Sequence, residues 1–185
     1  MTDDRHDAGG PIYLRPLREE DIDERYLAWF ADPYVTRFLE ARNLTRQDSV
    51  DYLRQGNETR SYFMHAICLS DSDLHVGNLK IGSINRRHLI SDMVTVIGDR
   101  GAWGKGYARE AIRIGIKVAF DVHKIRKLSA SIDSANTGSI KAYTAAGFEI
   151  ETALKNHFMH GDDLTDKVYV ACFNPDFQPS GPDPA

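Results

Sequence analysis

The sequence predicts a mixed α/β domain in which helices flank a mostly antiparallel central sheet of about seven strands. Three observations favour this class. Short strand-like runs alternate with amphipathic helical segments, three of the runs follow one another across polar turns, and no apolar run approaches 18 residues. A chain of 185 residues with 42% apolar and 27% charged residues is typical of one folded domain. We expect that domain over residues 11–174, between disordered tails at 1–10 and 175–185.

The first half of the chain should hold one strand, two helices and a three-stranded meander. Residues 12–17 alternate loosely and predict a first strand. Pro16 indicates that this strand either lies at an edge of the sheet or ends at that residue. Apolar residues at helical spacing predict a helix over 19–30, and the segment from Thr45 to Asp48 resembles a capping box that opens a second helix. The meander is expected as strands over 62–69, 76–84 and 93–97.

The second half should alternate helices and strands. Small and apolar residues form one stripe over 107–120, which suits a helix packed on a sheet. Gly147 stands where a left-handed cap would end a short helix that begins at Asn136. The remaining strands are expected at 127–132, 148–154 and 167–173.

Composition and charge exclude several classes of protein. A net charge of −4 argues against a nucleic-acid partner, and the polar N-terminus has no signal-peptide layout. Cys68 and Cys172 stand far apart in apolar segments, as buried thiols of a reducing cytoplasm do, and no residues have metal-ligand spacing. We therefore expect a cytoplasmic protein with no membrane segment, no nucleic-acid partner and no metal. The sequence leaves its assembly open, a homodimer included.

The most informative segment runs from Val94 to Ala108, where a strand passes through a glycine-rich turn into a helix. Backbone N–H groups and the helix dipole favour an anion at such a junction, and side-chain-free glycines let it approach closely. Two cations reinforce this, so the segment has the features of a diphosphate cradle. Its expected contacts are Arg100, Gly101, Ala102, Trp103, Gly104, Lys105, Gly106, Tyr107 and Ala108.

Two other phosphate-binding loops do not fit this turn. The loop of NTPases requires Lys and Ser/Thr where Tyr107 and Ala108 stand, and the glycine order differs from the dinucleotide pattern. A turn that only lets a helix pack closely is the remaining alternative.

The turn resembles the acetyl-CoA loop of the GNAT superfamily of N-acetyltransferases, whose pattern is Gln/Arg-x-x-Gly-x-Gly/Ala. Gly106 and Ala108 match its last two positions, and Trp103 stands at the first, with Arg100 three residues earlier. A second family motif matches residues 136–148. The resemblance implies the GNAT fold and an acetyl-CoA-dependent transfer of an acetyl group to a primary amine by direct attack in a ternary complex.

The resemblance also implies roles for particular residues. Asn136 and Tyr143 are seven residues apart, so both lie on one helical face. In the family the first position bonds the pantetheine arm, and the second directs its hydroxyl at the thioester sulfur to protonate the departing thiolate. Main-chain N–H groups of the preceding strand, here at Val96 and Ile97, hold the pantetheine and polarise the thioester carbonyl, and we include Ser139 among the cofactor contacts. The plainer alternatives are a helix cap for Asn136 and a core position for Tyr143.

The acceptor side is less specific. Candidate bases are Asp92, His75 and His88, each of which could instead be a locally bonded strand-end or turn residue. Two aromatic residues, Trp29 and Phe30, are expected in the acceptor wall unless they are core, and Asn78 follows His75 in the same run. The acceptor is expected to be an amino-sugar nucleotide or a protein N-terminus, with a small amine as a further open alternative. The rival function is a non-catalytic acyl-CoA sensor or partner module.

Overall fold

A computed structural model describes residues 4–179, which form one mixed sheet with helices on both faces. The strands of this part of the chain are β1 His6–Asp7, β2 Ile12–Pro16, β3 Tyr62–Leu69, β4 His75–Asn85, β5 Ile90–Ile97, β6 Lys127–Asp133, β7 Glu149–His160 and β8 Asp163–Phe173. Its α-helices are α1 Glu24–Ala31, α2 Arg46–Thr59, α3 Tyr107–Lys117 and α4 Thr137–Ala146. The predicted fold class is confirmed.

The sheet contains one parallel pair of neighbouring strands, and these two strands separate part of the way along to leave an opening in the sheet. The strand order is β1-β2-β3-β4-β5-β6-β8-β7, and β5 with β6 is the parallel pair in an otherwise antiparallel sheet. Their pairing runs from Ile90 opposite Lys127 to Asp92 opposite Ser129. From Met93 onward β5 diverges from β6, and we call the resulting opening the β5–β6 gap.

Each face of the sheet is covered by its own pair of helices. Helices α3 and α4 pack on one face, where the absent side chain of Gly115 lets α3 approach Leu79 and Met93. A Cβ at Gly115 would lie 2.8 Å from Leu79 Cδ1, so the contact requires glycine. Helices α1 and α2 cover the other face with an apolar cluster that includes Trp29 and Leu53. The β5–β6 gap thus lies in a sheet that is packed against an apolar cluster on each face.

Several expected elements have different bounds. The first helix is split into a 3₁₀ turn, Glu19–Asp21, and α1, because the Asp23 side chain accepts the Tyr26 amide at 2.8 Å and caps a new start. The helix expected over 107–120 ends as α3 at Lys117 and continues as a π-helical turn. The last two strands form a longer hairpin than expected. The pattern of apolar residues does not show this length, because β7 is exposed along most of its course and has no buried alternation.

The N-terminal segment expected as a disordered tail contains a strand. His6 and Asp7 pair with Leu14 and Tyr13 of β2, so the expectation for residues 1–10 is wrong at these positions. The tail positions 1–3 and 180–185 lie outside the described residues. Over residues 4–179, none of the helices combines the length and apolar character needed to cross a membrane.

Candidate active site

A cleft of about 830 Å³ lies at the β5–β6 gap. Its walls come from α1, α2 and the loop between them, from β4, β5 and β6, from α4, and from the tip of the β7–β8 hairpin. Segments that are distant in sequence therefore meet in one depression. The cleft contains six of the residues that the sequence nominated: Phe30, Asn78, Val96, Asn136, Ser139 and Tyr143.

The Tyr143 side chain reaches from α4 across to β5 and is 3% exposed. Its hydroxyl donates to the main-chain oxygen of Met93 at 3.0 Å, and Thr95 Oγ1 lies 3.4 Å away. Burial raises the pKa of Tyr143 to about 12, although hydrogen bonding with Thr95 lowers it in part. Tyr143 is therefore both a core residue and a wall of the cleft, which unites the two roles considered for it.

The main chain of β5 presents alternate residues to the gap. The Gly98 amide donates to Val76 of β4 at 2.9 Å, whereas the Met93 oxygen is directed at Tyr143 on the opposite side. Antiparallel pairing alternates along a strand, so the Val96 main chain faces β4 and the N–H groups of Thr95 and Ile97 face the gap. Of the two expected donors, the N–H group of Ile97 faces the gap and that of Val96 faces β4.

The first part of the glycine turn, which we define as residues 98–106, bonds to itself. The Asp99 side chain accepts the Gly101 amide at 2.8 Å, and the Ala102 amide donates to the Asp99 oxygen at 3.0 Å. The Trp103 amide is likewise engaged with Arg100. The amides of Gly101, Ala102 and Trp103, which were expected to bind the cofactor, therefore donate within a 3₁₀ turn that Asp99 caps.

The second part of the glycine turn offers unused donors. Gly104 and Gly106 have φ angles of +75° and +81°, which favour glycine, and a Cβ added at Gly104 would meet no atom within 4 Å. From Gly104 to Ala108 the amides make no hydrogen bond within residues 4–179, and Gly106 caps the N-terminus of α3. Free donors, open space and a helix N-terminus together suit an anion.

The two cations of this segment differ in their surroundings. The Arg100 guanidinium lies 3.6 Å from a carboxylate oxygen of Asp32 and 4.5 Å from the ring centroid of Tyr34. It is thereby directed at the loop after α1. Lys105 is exposed beside the open glycines. Lys105 is accordingly the better placed of the two to meet an anion on the free amides.

His75 does not line the cleft, contrary to the expectation of a base there. Its Nε2 atom lies 2.9 Å from the Gly77 oxygen and 3.0 Å from Asn78 Oδ1, and its ring meets the Trp29 ring edge-on. Because a carbonyl oxygen can only accept, Nε2 carries the proton, and burial lowers the pKa of the ring. His75 thus orients Asn78, whose Nδ2 is buried in the cleft wall without a partner among the described residues.

Three further candidates also lie outside the cleft. Asp92 Oδ1 accepts the Ser129 hydroxyl at 2.8 Å, within the paired part of β5 and β6. His88 lies in the exposed turn between β4 and β5, where its main-chain oxygen accepts from Arg126. Trp29 is 6% exposed and packs on Gly98, so it is core. The positions of Asp92, His88 and Trp29 therefore do not support the expected base and acceptor contacts, which stay predictions.

A carboxylate–imidazole pair that the sequence reading missed lines the cleft. His160 Nε2, at the end of β7, lies 2.5 Å from Asp133 Oδ2, at the end of β6. The side chains of Asp133 and His160 are 5% and 38% exposed. Asp133 directly follows a predicted strand and precedes Asn136 by three residues, which could have drawn attention to it. Its partner lies 27 positions further on, beyond the expected end of β7.

The rest of the cleft is aromatic and mixed in charge. Its basic side chains are Arg37, Arg42, Lys80 and Lys167, and its acidic ones are Glu40, Asp48 and Asp133. Two of the three carboxylates already accept hydrogen bonds, Asp48 from the Thr45 cap and Asp133 from His160. The aromatic walls are Tyr26, Phe30, Phe38, Tyr52 and Phe158.

Comparison with known proteins identifies the class. A family model described as an acetyltransferase (GNAT) domain matches residues 12–149. The chain is 25% identical over 181 residues to a probable N-acetyltransferase, YjcK, of Bacillus subtilis, covering 91% of this chain and 97% of that protein. It therefore belongs to the GNAT acetyltransferase family, and the expected enzyme class, an N-acetyltransferase, is confirmed.

Solved structures of this fold include enzymes with different acceptors. The spermidine N-acetyltransferase from Vibrio cholerae, in complex with CoA and spermine, has a TM-score of 0.79 at 15% identity, over 88% of this chain and 95% of that one. The ribosomal-protein-S5-alanine acetyltransferase from Vibrio fischeri has a TM-score of 0.75 at 18% identity, over 92% and 97%. At these identities the likeness shows the fold.

Proposed function

We propose that the protein transfers an acetyl group from acetyl-CoA to a primary amine by direct attack in a ternary complex. The observation that carries this proposal is the Tyr143 hydroxyl at the β5–β6 gap, on the strand that leads into the open glycine turn. From Met93 to Ile97 an extended strand covers about 13 Å. The proposed thioester site at Tyr143 and the proposed phosphate site at the glycine turn therefore lie at opposite ends of this stretch of β5.

The residues present fit acetyl-CoA. Lys105 and the free amides from Gly104 to Ala108 would hold its pyrophosphate, and the N–H groups of Thr95 and Ile97 would face its pantetheine arm. Asn136 Oδ1 accepts the Ser139 amide as a helix cap, which leaves Nδ2 to donate to the same arm. When bound, acetyl-CoA supplies the acetyl group as an activated thioester.

Tyr143 would stabilise negative charge on the leaving sulfur. Rotation about its C–O bond is enough to turn the hydroxyl proton away from Met93. Its pKa of about 12 lies well above that of a thiol, about 8.5, so outright proton release to the thiolate is unfavourable. We therefore assign it a hydrogen bond that strengthens as the sulfur acquires charge, and the departing thiolate takes its proton from solvent after it has left.

The cleft favours an amine on a carrier that also bears negative charge. Four basic side chains stand with three carboxylates, Glu40, Asp48 and Asp133, so the cleft carries a small excess of positive charge. The similar Vibrio cholerae enzyme is described with spermine, whereas the small positive excess of this cleft favours an anionic group on the acceptor over further positive charge. The aromatic walls suit a ring. An amino-sugar nucleotide is the acceptor class that combines these features, and a protein N-terminus is the second.

An amine panel tests this proposal. Thiol release from acetyl-CoA would be measured with a nucleotide-linked amino sugar, a peptide with a free N-terminus and spermidine. We expect the highest kcat/KM for the nucleotide-linked amine and the lowest for spermidine. Binding of acetyl-CoA without thiol release for any amine would contradict the proposal and favour the sensor function. A preference for spermidine would contradict the acceptor class alone.

A further inference from the structure

We propose that His160, oriented by Asp133, is the general base that takes a proton from the incoming ammonium group. This inference rests on the proposed function and supplies the group that none of the sequence-nominated bases provides. His75 is buried behind Asn78, and Asp92 and His88 lie outside the cleft. Among the imidazoles of residues 4–179, His160 is the one that lines it.

The hydrogen bonds of the Asp133–His160 pair determine which ring nitrogen of His160 carries a proton. Asp133 Oδ2 contacts His160 Nε2 at 2.5 Å, and Asp133 Oδ1 accepts the Ala135 amide at 2.9 Å. Burial alone raises the pKa of Asp133, but the hydrogen bonds from His160 and Ala135 outweigh it and leave that pKa below its ordinary value. An ionised carboxylate only accepts, so Nε2 carries a proton, and the neutral form of the ring that a base requires has its lone pair on Nδ1.

The fold brings this pair and Tyr143 into the same cleft. Asp133 is the last residue of β6, and its oxygen accepts the Asn136 amide at 2.8 Å, which ties it to the start of α4. His160 comes from the hairpin tip, and its ring meets the Phe38 ring edge-on with 6.0 Å between centroids. An amine in the cleft would thus have both a hydroxyl donor on α4 and an imidazole on the hairpin in the same cavity.

The proton step is simple to write. An N–H bond of the ammonium breaks, its electron pair stays on nitrogen as the nucleophilic lone pair, and the proton forms a new bond to His160 Nδ1. The Asp133 carboxylate stabilises the resulting imidazolium. The exposed part of the His160 ring then returns the proton to solvent. The other charged groups of the cleft are Arg37, Glu40, Arg42, Asp48, Lys80 and Lys167.

The test compares His160→Gln with His157→Gln on the same strand. His157 is exposed and does not line the cleft, so it controls for a change in the hairpin. With the nucleotide-linked amino sugar, the peptide amine and spermidine as probes, we expect His160→Gln to lower kcat/KM at neutral pH by about 10²–10⁴-fold. The loss should shrink as pH rises toward the pKa of the amine, because the neutral amine then forms without a base. Asp133→Asn should show the same trend more weakly.

The possible failures are distinguishable. Normal kcat/KM in His160→Gln, together with an impaired Tyr143→Phe, overturns the base and leaves the proposed function intact. A loss that is the same at every pH indicates a structural role and also overturns the base. Wild-type protein that acetylates no probe contradicts both proposals. An independent check is the ¹⁵N NMR spectrum of the wild-type imidazole, where a neutral His160 protonated on Nδ1 would overturn the assignment even if the variants do not fold.

Discussion

The Tyr143 hydroxyl on α4 donates to the Met93 oxygen on β5, 3.0 Å away, just where β5 has separated from β6. The carbonyl of Met93 faces the β5–β6 gap, and the tyrosine satisfies it in place of a strand. One hydroxyl therefore closes the end of the gap and lies at the site proposed for the thioester. Structure and catalysis share this group, so a loss of stability on its removal does not by itself exclude a catalytic role.

The open glycine turn predicts a specific effect of Gly104→Ala. A Cβ at Gly104 would project into the space proposed for the pyrophosphate, and we expect the acetyl-CoA Kd to rise about tenfold or more. Alanine at a φ of +75° also costs about 1–2 kcal/mol of stability. Isothermal titration calorimetry measures the first effect and urea unfolding the second.

Gly9→Ala is the matched control for that variant. Gly9 has a φ of +74° and equally open surroundings, but it lies outside the glycine turn. We expect the same loss of stability and an unchanged Kd. Equal affinities for acetyl-CoA in the two folded variants would place the pyrophosphate elsewhere.

Two substitutions separate the capping and binding roles of Asn136. Its Oδ1 accepts the Ser139 amide at 3.1 Å, and Asp caps a helix about as well as Asn. Asn136→Asp should keep the melting temperature but remove the amide donor, raising the acetyl-CoA Kd about two- to tenfold. Asn136→Ala should in addition lose about 1 kcal/mol of stability. An unchanged Kd in both variants would leave Asn136 as a cap alone.

Buried His65 predicts an acid-sensitive fold. Burial, together with the nearby His6 and His123, lowers the pKa of His65 to about 3. The unfolded chain protonates this ring near pH 6.5, so the free energy of unfolding is greatest above that pH and falls as pH drops toward about 3. The slope from this one group reaches about 1.4 kcal/mol per pH unit.

The measurement is urea unfolding at a series of pH values from about 7 to about 4.5, on wild-type protein and His65→Leu. The variant keeps an apolar side chain in the core and removes the titrating ring. Its stability should depend less steeply on pH, with the remaining slope arising in part from His123, whose pKa is also lowered, to about 4. The same slope in both proteins would show that His65 does not set the acid sensitivity.

Local signals in the sequence predicted the elements that depend on neighbouring residues. The capping box at Thr45 is present, with the Asp48 amide donating to its hydroxyl at 3.1 Å, and α2 begins at Arg46 as expected. The cap at Asn136 and the left-handed Gly147 also formed as predicted. Such signals succeed because their hydrogen bonds lie within a few positions along the chain.

The parts that failed depend on contacts between distant segments. His75 was a reasonable base by residue type, but the packing of α1 buries it against Trp29. The sequence carries no signal for His160, because β7 lacks buried alternation and the partner of His160, Asp133, is 27 positions away. Neither the side of the sheet that α1 covers nor the length of the hairpin can be read from residue spacing alone.

The most direct test of the account is the turnover of Tyr143→Phe, with the acetyl-CoA Kd and the free energy of unfolding measured on the same preparation. We predict a fall in kcat of about 10²–10³-fold, a nearly constant Kd, and a loss of about 1–3 kcal/mol of stability because Met93 loses its partner. Tyr34→Phe, which removes an exposed hydroxyl outside the cleft, is the control. A normal kcat in a destabilised Tyr143→Phe protein would contradict the account and leave this hydroxyl a purely structural role.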